Sequence, residues 1–250
     1  MRGPDLDGRV AGPFHHEIGA AFAVNALLAR SVRDAVAGEG FPLVLAGDCS
    51  AALGALGGVG TEPCGVVWFD AHGDFNTPET TITGYFGGMP LAIVVGRGWT
   101  SLAATIPGFA PVPESRVVLA GVRALDPLEA ELLAQSRVTV IGADALRRDG
   151  ALVALRPGLA ALDGVERVHI HVDMDVLDPT EVRANRYDEP GGLTLEVLRE
   201  ALRTAAAQHE ICSVTLSAYD PTYDSAGRGA EAGASLLVAL AEAVSSRHQG

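Results

Sequence analysis

Two carboxylates and an imidazole stand at alternate positions in Asp70-Ala71-His72-Gly73-Asp74. Alternate side chains of extended backbone share one side, so Asp70, His72 and Asp74 can converge on a common cation. A second run, Asp173-Met174-Asp175-Val176-Leu177-Asp178-Pro179, repeats the spacing, and a third, Gly47-Asp48-Cys49-Ser50, adds a thiol. Alone, the first string is also compatible with an Asx turn or a satisfied surface cluster. Three such clusters, each at the end of an apolar run, point to a metal centre instead. Carboxylate-rich sets with one or two imidazoles suit hard or borderline divalent ions such as Mn²⁺. Two ions bridged by carboxylates, about 3.5–4 Å apart, acidify a bound water until it serves as a nucleophile near neutral pH. The residues therefore specify metal-dependent hydrolysis, without naming a substrate.

The elements that must position these groups are legible in the apolar patterning. Continuous apolar runs at 42–46, 65–69 and 168–172 read as strands buried on both faces, with further strands at 116–121, 138–141 and 211–216. Helices are expected over 17–37, from Ser50 as N-cap, and over 89–95, 128–136, 195–208 and 230–245. Residues 144–162 read as largely helical with a break at Pro157-Gly158. Alternating strands and helices imply an α/β fold, a parallel sheet covered on both faces. In such sheets ligands sit beyond the carboxyl ends of the strands, where the charged clusters fall. Two long segments, 75–88 and 179–192, have the length of functional loops. No repeat or linker divides residues 1–250, which read as one domain.

Composition narrows the partners. The 250 residues are 48% hydrophobic and 20% charged, a globular balance. A net charge of −13, from 18 basic and 31 acidic residues, disfavours nucleic acid and anionic membranes. Three cysteines, Cys49, Cys64 and Cys212, fit neither a disulfide framework nor a paired zinc motif, so a reducing, cytoplasmic setting is expected. The N-terminus lacks the apolar region of a secretory signal, and no stretch approaches the roughly 18 apolar residues of a membrane span.

Taken in order, Gly-Asp-Cys-Ser (47–50), Asp-Ala-His-Gly-Asp (70–74), His-Val-Asp-Met-Asp-Val-Leu-Asp-Pro (171–179) and Pro-Gly-Gly-Leu-Thr (190–194) resemble the ureohydrolase superfamily of arginase, agmatinase and formiminoglutamase. The resemblance implies a three-layer αβα sandwich with a parallel sheet of about eight strands. It implies two Mn²⁺ ions bridged by Asp70 and Asp173, one completed by Cys49 and Asp74, the other by His72 and Asp175. Asp74 and His72 become the catalytic candidates. The loops look more like arginase than agmatinase: Asn76, Thr81 and Thr83 fall where an α-carboxylate is bound, and Asp126 and Glu129 where an α-amino group is met. Neutral donors suit a carboxylate and acids suit an ammonium. Loop capping remains the alternative for the threonines, and a solvated first-turn position for Glu129.

Three positions depart from the resemblance. Cys49 stands where a histidine is usual, so that metal site is expected to be weak or to take another divalent ion. Gly87 matches the loop histidine of arginase proton transfer, and Ala218 the glutamate that grips a guanidinium; Asp220 is the nearest remaining acid. His171 reads either as a hydrogen-bond partner of a metal ligand or as a buried, satisfied histidine, and His169 as core. The expectation is a C–N hydrolase of a guanidino, amidino or formimino group on an amino-acid-like substrate, such as L-arginine or N-hydroxyarginine. The competing expectation is an inactive relative that binds metal or amino acid as a sensor or assembly partner. A homo-oligomer, trimer or hexamer, is implied by the resemblance alone.

Overall fold

The computed structural model describes residues 18–62, 64–162, 164, 165 and 167–247. Glu17, the expected start of the first helix, lies outside these. Six strands alternate with helices: α1 (Ile18–Ala37), β1 (Leu43–Leu45), α2 (Ala51–Val59), β2 (Cys64–Phe69), α3 (Pro90–Val94), α4 (Thr100–Ala103), β3 (Val117–Val122) and α5 (Pro127–Ala134). β4 (Thr139–Gly142), α6 (Ala143–Asp149), α7 (Ala151–Ala161), β5 (Arg167–Asp173), α8 (Leu195–Gln208), β6 (Glu210–Ser217) and α9 (Arg228–Arg247) follow. Every residue of β2 and of β3 is buried, as a central strand covered by helices on both faces requires.

All pairings are parallel, in the order β1-β6-β5-β2-β3-β4. After β2 the chain runs outward through β3 and β4, then returns to lay β5 on the opposite side of β2. Connections therefore diverge at the C-terminal ends of β2 and β5, a topological switch point where α/β sheets bind ligands. The six strands are the six apolar runs of the sequence. The further two that the resemblance implied have no counterpart among the described residues, where β1 is an edge with Leu45 66% exposed.

Two local expectations are corrected. The break in the 144–162 helix falls at Gly150, whose φ of 78° ends α6, while Pro157 sits inside a continuous α7. Gly158 lets that helix lie on the sheet: a Cβ there would come within 2.9 Å of a Val118 methyl. Ser50 makes no side-chain cap; its N–H donates to Asp48 Oδ1 at 2.8 Å, so Asp48 organises the turn into α2.

Behind β5 the loop is pinned from two sides. Arg123 donates to the carbonyls of Asp175 (2.7 Å) and Glu189 (2.8 Å). Asp178 Oδ2 accepts from Gly191 N and Gly192 N at 2.8 and 2.9 Å, and Oδ1 from the Thr180 hydroxyl and N–H. Partial burial pushes the Asp178 carboxyl up, but these donors outweigh it and hold it down at about 2. A depressed folded pKa gives stability that is present above about pH 4 and lost as pH falls through 2. Asp178→Asn is thus expected to lower the melting temperature at pH 6 and to match wild type near pH 2. A gap that persists at pH 2 would assign the loss to packing instead.

Candidate metal centre

The register Phe69↔Val172 brings Asp70 and Asp173 out side by side at the switch point. Asp70 is fully buried; its Oδ2 accepts from Trp68 Nε1 at 3.0 Å and its Oδ1 from His72 N at 2.8 Å. Asp173 Oδ1 accepts from Asp175 N at 2.8 Å, and Oδ2 from the Cys49 thiol at 2.9 Å. His72 Nδ1 stands 3.4 Å from both Asp70 Oδ1 and Asp175 Oδ2. Asp74 takes a left-handed backbone, φ 48°, a strain on the order of 1 kcal/mol that persists where surroundings impose it. Its buried Oδ2 has no hydrogen-bond partner.

The electrostatics are those of crowded acids. Burial, then the charges of the neighbouring aspartates, pushes Asp74 and Asp173 well above the usual carboxylate range, and Asp70 above it. Burial also pushes Asp175 up, but the hydrogen bond and charge of His72 outweigh it and hold this carboxyl low. His72 answers in kind: burial draws it down, while Asp175 and Asp70 push it up to about 12. Four buried carboxylates beside one charged imidazole, that of His72, are under-compensated, and the Asp74 oxygen among them has no hydrogen-bond partner. Divalent cations meet both demands, so the donor set fits the metal centre expected from sequence. Ligand atoms of Asp70, His72 and Asp175 lie within 4.8 Å of one another, and so do those of Cys49, Asp70 and His171.

A cleft of about 760 Å³ opens above these groups and is lined by every substrate-binding candidate: Asn76, Thr81, Thr83, Asp126, Glu129 and Asp220. Their side chains are unequally free. Asn76 donates to Asp126 Oδ2 at 3.1 Å and accepts from the Thr80 hydroxyl at 3.0 Å. Thr81 and Thr83 accept from the N–H groups of Gly84 and Tyr85, as loop-capping threonines do. Glu129 is buried rather than a solvated first-turn residue, and both its oxygens are engaged by backbone, Phe75 N at 2.9 Å and Asp126 N at 3.1 Å. It anchors the 70–76 segment on α5. Asp220 Oδ1 accepts from the hydroxyl and N–H of Thr222, which lower its carboxyl. A larger groove of about 1150 Å³ borders the cleft beside α1 and β1, but its lining is mainly apolar and offers little for catalysis.

The profile of the arginase family matches residues 5–242. The chain belongs to the arginase family. Similarity is 34% identity to the arginase of Bacillus caldovelox, over 86% of this chain and 73% of that one. It is 36% to the arginase of Bacillus subtilis, over 71% of this chain and 60% of that relative's length. The crystal structure of arginase from Bacillus cereus superposes with a TM-score of 0.85 at 31% identity, covering 90% of this chain and 78% of the other. The open parallel sheet with helices on both faces is the family's, and so is the hydrolase class. No helix among the described residues is long and apolar enough to cross a membrane.

Within this arginase-family frame the departures acquire a geometry. A Cβ at Gly87 would collide with the Tyr85 ring at 2.5 Å, so the phenol fills the space a side chain at 87 would need. The Tyr85 hydroxyl donates to Asp48 Oδ2 at 3.4 Å, and its ring stacks on Tyr187 at 5.3 Å. Ala218 lines the cleft with φ 63°, its carbonyl accepting from Asn185 Nδ2 at 2.9 Å. Sequence reading missed Asn185, which also reaches Asp175 Oδ2 at 3.3 Å, and missed Ser217 and Trp68 beside Cys49 and Asp70. The Trp68-x-Asp70 spacing was the available signal for the last of these. His169 is core as expected: it contacts Ser213 at 2.8 Å, and burial pushes it down to about 3. Cys64 and Cys212 are free thiols, 3.8 Å apart.

Proposed function

We propose that this chain is a two-metal, Mn²⁺-type hydrolase of a C–N bond in a guanidino, amidino or formimino group, acting on a small amino-acid-like substrate. The observation that carries the reading is that ligand atoms of Asp70, His72 and Asp175 lie within 4.8 Å of one another, with Asp173 hydrogen-bonded to Asp175 and Asp74 lining the same polar cleft. Asp70 and Asp173 would bridge the ions; Cys49 and Asp74 would complete one site, His72 and Asp175 the other. Bound there, divalent cations would acidify a water molecule and draw off charge developing at the attacked carbon. Asp74 offers a carboxylate oxygen without a hydrogen-bond partner, suited to accept a hydrogen bond from that water and to receive its proton. At the other end, Asn76, Thr81 and Thr83 suit a carboxylate and Asp126 an ammonium, while Asp220 is the acid nearest Ala218 in sequence. Glu129 acts by holding Asp126. A binding protein without turnover is the second reading, favoured by the bare methyl of Ala218 where a guanidinium would be gripped.

The test is a screen of Mn²⁺-reconstituted protein for release of urea, hydroxyurea, ammonia or formamide from guanidino and formimino compounds. With the active compound in hand, an α-amino acid is compared with its decarboxylated amine. Asp126→Ala is expected to weaken the amino acid on the order of tenfold, the lower end of a charged hydrogen bond's 1.5–3 kcal/mol, because Asp126 is partly exposed. Equal turnover of acid and amine, unchanged by Asp126→Ala, would overturn the amino-acid end of the reading. No release from any compound, with metal bound, would favour the second.

A further inference from the structure

His171 is completely buried on β5, its ring stacked on the Trp68 indole with centroids 3.6 Å apart and planes 19° apart. Its Nδ1 has no hydrogen-bond partner. Its Nε2 lies 3.3 Å from Ser217 Oγ, and that hydroxyl is 3.2 Å from Cys49 Sγ. One ring nitrogen, Cys49 Sγ and an Asp70 oxygen all stand within 4.8 Å of one another, with Asp173 Oδ2 2.9 Å from the thiol. Asp74, whose Oδ2 is orphaned, faces the same carboxylates. Ligand atoms around a tetrahedral ion with bonds of about 2.0–2.3 Å stand roughly 3.5 Å apart, so closing this set takes about an ångström.

We propose that His171 is a metal ligand, and that it joins Cys49, Asp70 and Asp173, with Asp74 beside them, in a sulfur–nitrogen–oxygen site for a zinc-class divalent cation. The inference rests on the metal-dependent reading above and deepens it. By sequence, Cys49 only subtracts a hard-ion ligand; the fold adds an imidazole at the same place. Thiolate and imidazole together select zinc over Mn²⁺, while His72, Asp70 and Asp175 keep the oxygen-rich character that suits Mn²⁺. The two positions then differ in metal, not simply in strength. Binding expels the Cys49 proton to solvent, and the Ser217 hydroxyl is left to donate to the thiolate and hold its orientation. Stacking on Trp68 fixes the imidazole plane.

Cobalt and zinc loading of the full chain tests this apart from activity. One equivalent of Co²⁺ should give near-ultraviolet thiolate-to-metal absorption, lost in Cys49→Ser and kept in Cys212→Ala, which controls for the second thiol pair. X-ray absorption of protein carrying one equivalent of Zn²⁺ should show one sulfur at about 2.3 Å together with an imidazole. In His171→Ser the imidazole scattering should vanish and the Zn²⁺ dissociation constant should rise more than about a hundredfold, beyond what loss of a supporting neighbour gives. If His171→Ser does not fold, the wild-type scattering decides alone. Metal bound among oxygens and imidazole without sulfur, or a His171→Ser affinity equal to wild type, overturns the inference and leaves the hydrolase reading standing. Failure of any divalent ion to bind overturns both.

Discussion

Asp173→Asn is expected to lower turnover of the metal-loaded protein by about a thousandfold or more, yet to raise the melting temperature of the chelator-treated protein at pH 8. The first effect follows from position. Asp173 stands between Cys49 and Asp175, within hydrogen-bond reach of both, so its charge serves each proposed ion. An amide keeps the shape and the Asp175 N–H contact but loses the charge. A metal's transition-state stabilisation is several kcal/mol, and each 1.4 kcal/mol is about tenfold in rate. The second effect has the opposite sign. In the metal-free protein, burial and then the charges of Asp175 and Asp70 raise the Asp173 carboxyl well above its unfolded value. A carboxyl raised on folding contributes its full stability below about pH 4 and loses it as pH rises through the folded pKa. At pH 8, far above the unfolded value, keeping this carboxyl buried is therefore a burden that the amide removes. Calorimetry with and without Mn²⁺, beside metal analysis, reads both signs. A variant that keeps two ions and its turnover would remove Asp173 from the bridge; a metal-free variant less stable than wild type would mean the acids are not under strain.

That opposition explains which parts of the site were legible beforehand. Asp70, His72, Asp74, Asp173 and Asp175 end apolar runs, and the alternation that aims them together is a property of extended backbone, visible in a few consecutive letters. The six strands were visible for the same reason: runs such as 65–69 have no polar face to be anything but central. Partnerships across the chain were not. Cys49 and Asp173 are 124 positions apart, and nothing near either predicts a 2.9 Å contact. His171 carries the same two meanings in sequence whether it packs or ligates; only the pairing of β5 with β2 and β6 sets it against Trp68 and Ser217. Glu129 shows the reverse failure. An acid at the third position of a helix after Asp126 is the signature of a capping box, which takes Oε2, while the N–H of Phe75 takes Oε1, so neither oxygen is left for the ligand role the loop analogy suggested. The break at Gly150 rather than Pro157 is a matter of packing: a proline costs a helix one donor, and the close approach of its neighbour Gly158 to Val118 outweighs it.

Ala218→Glu is expected to raise kcat/KM for L-arginine by up to about a hundredfold if the proposed reaction is right. Ala218 lines the cleft at the end of β6, beside the Asn185 that hydrogen-bonds Asp175, so a side chain there projects toward whatever group meets the metals. A methyl gives a guanidinium nothing to bind. A carboxylate gives it charge-assisted hydrogen bonds, worth about 1.5–3 kcal/mol, or roughly ten- to a hundredfold. The backbone raises no new objection: φ is already 63° with a β-carbon present, so glutamate meets the same left-handed cost as alanine. The gain should be confined to guanidinium compounds. A formimino or N-hydroxylated substrate, less dependent on a charged grip, should gain little or lose, so the ratio between the two classes is the quantity to measure. Metal content must be matched between wild type and variant, since an added acid beside Asp175 can also attract cations. A variant with equal metal and no gain for arginine would show that position 218 does not face the reacting group. The native substrate's selectivity would then be set elsewhere in the cleft, with Tyr85, which occupies the space over Gly87, the next residue to change.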